Sequence, residues 1–221
     1  MSTSLPSKTR RDALHHLTTA ALGTGFLGWL PNESAAASQA APRKTFSFSP
    51  LPPFLLPPAA PLQLNTRGIV MRTWVRSSQT NRQYSSVEFL IGPKQMGPPP
   101  HVHRDLDEIM FVLSGTVSVL VEETVYTVPA GGWHLRPHGL VHTFWNATDA
   151  PAHYVDMYFN QNFEDFLEEL NGKILADMEK YKLTPADPGI AKRWADLDRR
   201  FGITTFFDQR QPLIDKYGLK A

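Results

Sequence analysis

The stretch LSGTVSVLVEETVYTVPAGG, residues 113–132, alternates apolar and polar side chains and is interrupted twice, at Ser114-Gly115 and at Glu122-Glu123. A period of two belongs to a β-strand, whose successive side chains point to opposite faces. Short breaks at these two places read as hairpin reversals. The neighbouring chain follows the same rule. Short β-branched or aromatic segments at 68–75, 84–91, 108–113, 116–121, 124–128, 134–136, 142–146 and 153–159 are separated by Gly, Pro and Asn turns. This spacing predicts an all-β domain over residues 66–160, built as a small antiparallel β-barrel or sandwich.

The flanking segments have different characters. At 221 residues and 42% hydrophobic content, the chain is long enough for one domain with a real core. Beyond Asn160 the period becomes helical. Asn162 can cap a helix whose apolar residues Phe163, Phe166, Leu167, Leu170, Ile174, Leu175 and Met178 recur on one face. A second helix runs from Asp187-Pro188 through Trp194, Leu197 and Phe201 to Gly202, with proline near its start and glycine past its end. Residues 161–221 are therefore expected to form C-terminal α-helices packed outside the β-domain. Residues 41–65 precede the strands and carry seven prolines between 41 and 64, which preclude a helix. They read as an extended arm. Its Phe46, Phe48, Phe54, Leu55 and Leu56 predict that it lies along the domain or across a partner subunit, and a homodimer is expected.

Composition removes several function classes. The formal net charge is +1 and no Lys/Arg run follows the first dozen residues, so nucleic acid is not an expected partner. The chain has no cysteine, which excludes disulfides, thiolate ligands and a cysteine nucleophile. Any metal must sit on His, Asp or Glu. In residues 1–40, paired arginines at Arg10-Arg11 precede a mildly apolar stretch at 17–30 and small residues at Ala35, Ala37 and Ala40. This segment resembles a bacterial twin-arginine signal peptide, although Ala13 stands where the consensus has phenylalanine. The apolar stretch is too short for the ~20 residues a membrane span requires. Export to the periplasm without a stable membrane anchor is expected, and His15 and His16 read as incidental.

The chemistry concentrates in PPPHVHRDLDEIMFVLSG, residues 98–115. On a strand, His101 and His103 share a face and can grip one ion together. Glu108 shares a face with Met110 and Val112, where an unpaired carboxylate is costly and a metal would relieve the cost. The run from Ile109 to Leu113 reads as core. A second segment, GGWHLRPHGLVHTFWN, ends with His142, Phe144 and Asn146 alternating in the same way. Three imidazoles and a carboxylate suit one divalent transition metal and can leave open coordination positions, which makes the metal reactive. His134 and His138 read as turn or surface residues, and His153 has no evident partner.

These two segments resemble the motifs of the cupin family. His101-x-His103-x4-Glu108-x6-Gly115 is similar to the first cupin motif, and Gly131-x5-Pro137-x-Gly139-x2-His142-x3-Asn146 to the second. The one departure is Gly97, which precedes His101 by three residues where the family's pattern has five. The resemblance covers residues 97–146 closely, and with DPGIAKRWADLDRRFGI near the end the chain is similar to bacterial quercetin-dioxygenase-like cupins. It implies a double-stranded β-helix jelly roll and metal ligands at His101, His103, Glu108 and His142. The implied metal is one of Fe, Mn, Ni, Co, Cu or Zn.

The implied activity is a quercetinase-like dioxygenase acting with O2 on an aromatic or enolic small molecule. In such an enzyme Glu108 alternates between ligand and general base, with its pKa raised beside an apolar wall. The expected cavity lining is Phe89, Met110, Val112 and Phe144, with Tyr154, Asp156 or Tyr158 depending on which face of the last strand turns inward. The alternatives are a metal-dependent isomerase, lyase or decarboxylase of the same class, or a non-catalytic small-molecule-binding cupin. An inward arginine among Arg72, Arg76, Arg82 and Arg136 would favour the first of these alternatives.

Overall fold

The computed structural model describes residues 50–220, so the expected export signal, His15, His16 and the first part of the arm lie outside the described residues. The eight alternating segments become β1 (Ile69–Val75), β2 (Tyr84–Ile91), β4 (Asp107–Ser114), β5 (Thr116–Val121), β6 (Thr124–Pro129), β7 (Trp133–Arg136), β8 (His142–Trp145) and β9 (Ala152–Phe159), and the histidine pair before Glu108 forms a separate short strand, β3 (His101–His103). Then come α1 (Phe163–Glu169), α2 (Leu175–Tyr181), α3 (Pro188–Phe201), a short β10 (Ile203–Thr205) and α4 (Arg210–Tyr217). All the strand pairings are antiparallel. They make two five-stranded sheets, ordered β1-β2-β9-β4-β7 and β10-β3-β8-β5-β6. This is the jelly-roll barrel.

Both expected reversals are present. Between β5 and β6 the closing pair is Val121 with Thr124. Glu122 takes a left-handed φ of 53° there, held by its backbone N–H to Val141 O (2.8 Å) and by its carboxylate, which accepts from Val141 N (2.7 Å). Between β4 and β5, Gly115 has φ +74°, and an added Cβ would lie 2.7 Å from Pro151 O and 2.9 Å from Ala152 Cα. Any side chain is thus strained twice, by conformation and by contact. Gly115→Ala is expected to cost about 1–3 kcal/mol, measured as a lower urea midpoint.

The barrel interior is filled by Val87, Phe89 and Ile91 from β2, Met110 and Val112 from β4, Val117 and Val119 from β5, and Tyr154 and Tyr158 from β9. The reading of Ile109 to Leu113 as core needs correction. Met110 and Val112 are fully buried, whereas Leu113 is 43% exposed and Ile109 and Phe111 are half-buried on the outer face, where Phe111 stacks on Trp133. Both alternate sets are apolar, so hydropathy alone does not say which turns inward.

The first helix runs from Phe163 to Tyr181, with α1 and α2 joined by a π-helical turn, Leu170–Ile174. Asn162 precedes it but does not cap it through its side chain; its amide donates instead to Asp165 Oδ2 (2.6 Å). The second helix starts at Pro188 and ends at Gly202, as its proline-first, glycine-last pattern predicts. Phe163, Phe166, Ile174, Ile190, Trp194, Leu197 and Phe201 join the barrel's own core cluster. β10 and α4 were not expected. α4 brings Ile214 against Met96 and Trp145 in a second, smaller core, where Trp145 stacks on Tyr217 at 4.6 Å.

The described part of the arm, residues 50–65, forms neither helix nor strand. It is tied down where Arg72 Nη2 donates to Ala60 O (2.6 Å), and it leaves Leu51, Phe54 and Leu55 exposed. Among the described residues no helix is long and apolar enough to cross a membrane.

Candidate metal centre

β3 places His101 and His103 on one face, and its neighbour β8 begins with His142 directly opposite His101. Glu108 enters from the other sheet at the start of β4, where its register partners are Arg136 on β7 and Tyr158 on β9. One ligand atom from each of His101, His103, Glu108 and His142 lies within 4.8 Å of all the others. Two atoms that each sit 2.0–2.2 Å from one ion are at most about 4.4 Å apart, so the four close on an ion with small side-chain rotations.

The hydrogen bonding suits that role. His101 Nδ1 lies 2.9 Å from Pro99 O and His142 Nδ1 lies 3.0 Å from Leu140 O. A carbonyl only accepts, so Nδ1 carries the proton in both rings and Nε2 keeps its lone pair for the site. Nε2 of His103 and of His142 are buried without a hydrogen-bond partner, although each lies 3.2 Å from a Glu108 oxygen. Buried polar atoms without hydrogen bonds are uncommon. Here they converge on one carboxylate, as ligand atoms around a cation do. His101 is held well below the usual imidazole range, first by burial and then by the neighbouring His142 and His103, so it is present in the neutral form that ligates.

Arg136 lies behind Glu108, fully buried, with Nε 2.9 Å from Glu108 Oε2 and Nη2 donating to Asp156 Oδ1 at 2.7 Å. The Tyr158 hydroxyl donates to Asp156 Oδ2 at 3.3 Å. This corrects the expected electrostatics of Glu108. Burial pushes its carboxyl upward, but the Arg136 guanidinium and His103 outweigh burial and hold it well below the usual carboxylate range. Burial pushes Asp156 up to about 6 against the same arginine. Sequence reasoning named Asp156 as a possible cavity-lining residue and Arg136 as a possible inward arginine, but paired neither with Glu108 or with the other. For Asp156 the available signal was its alternate position on β9 between the buried Tyr154 and Tyr158.

His101, Glu108, Asp156 and Tyr158 open onto a cavity of about 430 Å³. Of the expected lining, Phe89 and Phe144 are present; Met110, Val112 and Tyr154 are buried but do not line it. β9 turns Tyr154, Asp156 and Tyr158 inward together. The remaining wall comes from the helices. Phe163, Phe166, Leu167, Leu170, Met178 and Trp194 face the cavity, so the apolar stripe expected only to pack also encloses the site. Gly97 lies in the wall too, where an added Cβ would meet Phe144 O at 2.3 Å. The other histidines lie elsewhere. His134 is a half-buried strand residue against Tyr126, His138 is exposed with Nδ1 2.7 Å from Asp107, and His153 does have a partner, Glu88, at 2.7 Å.

The fold and site are thus a two-sheet antiparallel jelly roll with three inward histidines and a glutamate beside a cavity, the arrangement of a cupin-like domain. Residues 87–158 match the cupin domain family. No curated protein matches the sequence. Among solved structures the chain is similar to KdgF from Halomonas sp. (18% identity over 47% of this chain and 88% of that one, TM-score 0.41). It is also similar to a recombinant oxalate oxidase in complex with glycolate (23%, 44% and 54%, TM-score 0.38). A third is the polyketide cyclase RemF from Streptomyces resistomycificus (18%, 42% and 66%, TM-score 0.38).

Proposed function

We propose that this chain is a metal-dependent, quercetinase-like dioxygenase that acts on an aromatic or enolic small molecule, with one divalent transition ion held by His101, His103, Glu108 and His142. The observation that carries this reading is the meeting of that quartet, through His101 and Glu108, with a 430 Å³ cavity walled by aromatic side chains. Three imidazoles and one carboxylate suit Fe, Mn, Ni, Co, Cu or Zn. When bound, such an ion supplies Lewis-acid polarisation of an enol or phenol oxygen and a site for O2 chemistry. The chain's own residues supply the rest. Phe89, Phe144, Phe163 and Phe166 form apolar walls that accept a flat ring and exclude water. Arg136 keeps Glu108 ionised, which favours its role as ligand over its role as base.

Arg136 points into the barrel, which favours the second reading, an isomerase, lyase or decarboxylase on a polar acid. Its guanidinium is already shared between Glu108 and Asp156, so it does not reach for a substrate, and the first reading stands. Export on residues 1–40 and a homodimer belong to the same proposal.

The test is to purify the chain, identify its metal by elemental analysis, and follow O2 uptake with a flavonol and a set of catechols. A bound transition metal and O2 consumption with at least one of them is the expected result. A metal-loaded protein that consumes no O2 with any of them moves the activity to the second reading, and binding without turnover makes it a binding protein. Absence of metal overturns the site itself.

A further inference from the structure

We propose that Arg210, at the start of α4, anchors a carboxylate carried by the molecule that occupies the cavity, so that the substrate class is an aromatic or enolic acid. This rests on the reading of the cavity as the substrate site.

Arg210 lines the same cavity as His101 and Glu108. It differs from the other arginines in what surrounds it. Arg67, Arg72, Arg76, Arg104, Arg136, Arg193, Arg199 and Arg200 each lie within 4.0 Å of a carboxylate. Among the described residues only Arg82 and Arg210 have no such partner, and Arg82 is exposed on a turn, where water serves it. Arg210 is half-buried, and no described side chain or carbonyl accepts a hydrogen bond from its guanidinium.

A cation withdrawn from water without a counter-ion is unfavourable. Burial alone lowers the Arg210 pKa, and no neighbouring carboxylate raises it. On the wall of a largely apolar cavity, an arginine offers a planar fork of N–H donors that fits a carboxylate bidentately. Arg67 also lines the cavity, but it is engaged already. Its Nη1 donates to Asn171 O at 3.0 Å and its Nε lies 3.7 Å from Glu179. The quartet and Arg210 border one cavity, so a molecule that fills it meets both, with phenylalanines on its walls.

Two probes of the same shape test this: 3,4-dihydroxyphenylpropanoate and 4-propylcatechol, titrated calorimetrically into metal-loaded protein. Wild type is expected to bind the acid about tenfold or more tightly than the neutral probe, the range of a charged hydrogen-bonded pair. Arg210→Gln is expected to abolish that preference by weakening binding of the acid far more than binding of 4-propylcatechol, and Arg210→Lys to retain part of it. Equal binding of the two probes by wild type, binding of neither, or a preference that survives in Arg210→Gln overturns the proposal. If the glutamine variant does not fold, the wild-type comparison and the lysine variant decide. The readout is separate from turnover. A carboxylate preference without O2 uptake sinks the dioxygenase reading and leaves the anchor standing, and O2 uptake without a preference does the reverse.

Discussion

Replacing Arg136 by methionine is expected to destabilise the fold by about 3–5 kcal/mol, read as a fall in the urea midpoint at unchanged slope. The residue is fully buried, and its guanidinium faces Glu108 at 2.9 Å and Asp156 at 2.7 Å. Methionine fills much of the same volume, so the loss is electrostatic rather than a cavity effect. Without the guanidinium, two carboxylates remain in a low-dielectric interior with no cation between them. Removing one of the stranded charges should then help. Asp156→Asn added to Arg136→Met is expected to recover part of the loss, a coupling of about 1–3 kcal/mol in the stabilising direction. Strictly additive losses would show that the three groups do not act as one network.

Adding a divalent transition ion is expected to raise the melting temperature of the wild-type chain, and His103→Ala is expected to remove that response. An ion that binds only the folded state stabilises it by about 4 kcal/mol when present at a thousandfold excess over its Kd. For a domain of this size, that corresponds to a shift on the order of 8–15 °C. His103 is the most informative ligand to remove. It is fully buried, its Nε2 lacks a hydrogen-bond partner, and its ring is clamped edge-on by Phe163 at 5.0 Å, so no other side chain can take its place. Scanning calorimetry with and without a chelator reads the result, and each variant's metal-free midpoint is its own reference. Equal shifts in wild type and His103→Ala would remove the quartet as the binding site.

Much of this was legible in the sequence because it is written locally. Alternation over six to eight residues marks strands such as Tyr84–Ile91 and Thr116–Val121 with their observed bounds, and the four ligand candidates announce themselves by spacing. The features that were missed are non-local. β10 spans three residues, too few to show a period, and exists only because β3 offers it an edge. Glu108 was expected to have a raised pKa because burial is visible in its apolar neighbours. The charge that reverses the shift comes from Arg136, across a strand pairing that hydropathy does not encode. Likewise the partner of His153 is Glu88, on another strand. The whole run from Ile109 to Leu113 was read as core for a simpler reason: Phe111 is apolar on the outside because Trp133 covers it.

The strand that carries two of the four ligands has little support from its own side of the sequence. β3 pairs with β8 at a single position, His101 with His142, while three consecutive pairs tie it to β10. Every ligand is encoded within residues 101–142, yet the rail that keeps His101 and His103 aligned comes from residues 203–205, on the far side of α3. Closing a contact of such long sequence separation costs loop entropy that local contacts do not. The alignment of two ligands therefore depends on an edge strand that a helix separates from the rest of the site, and loosening of the α3–β10 segment is transmitted directly to His101 and His103.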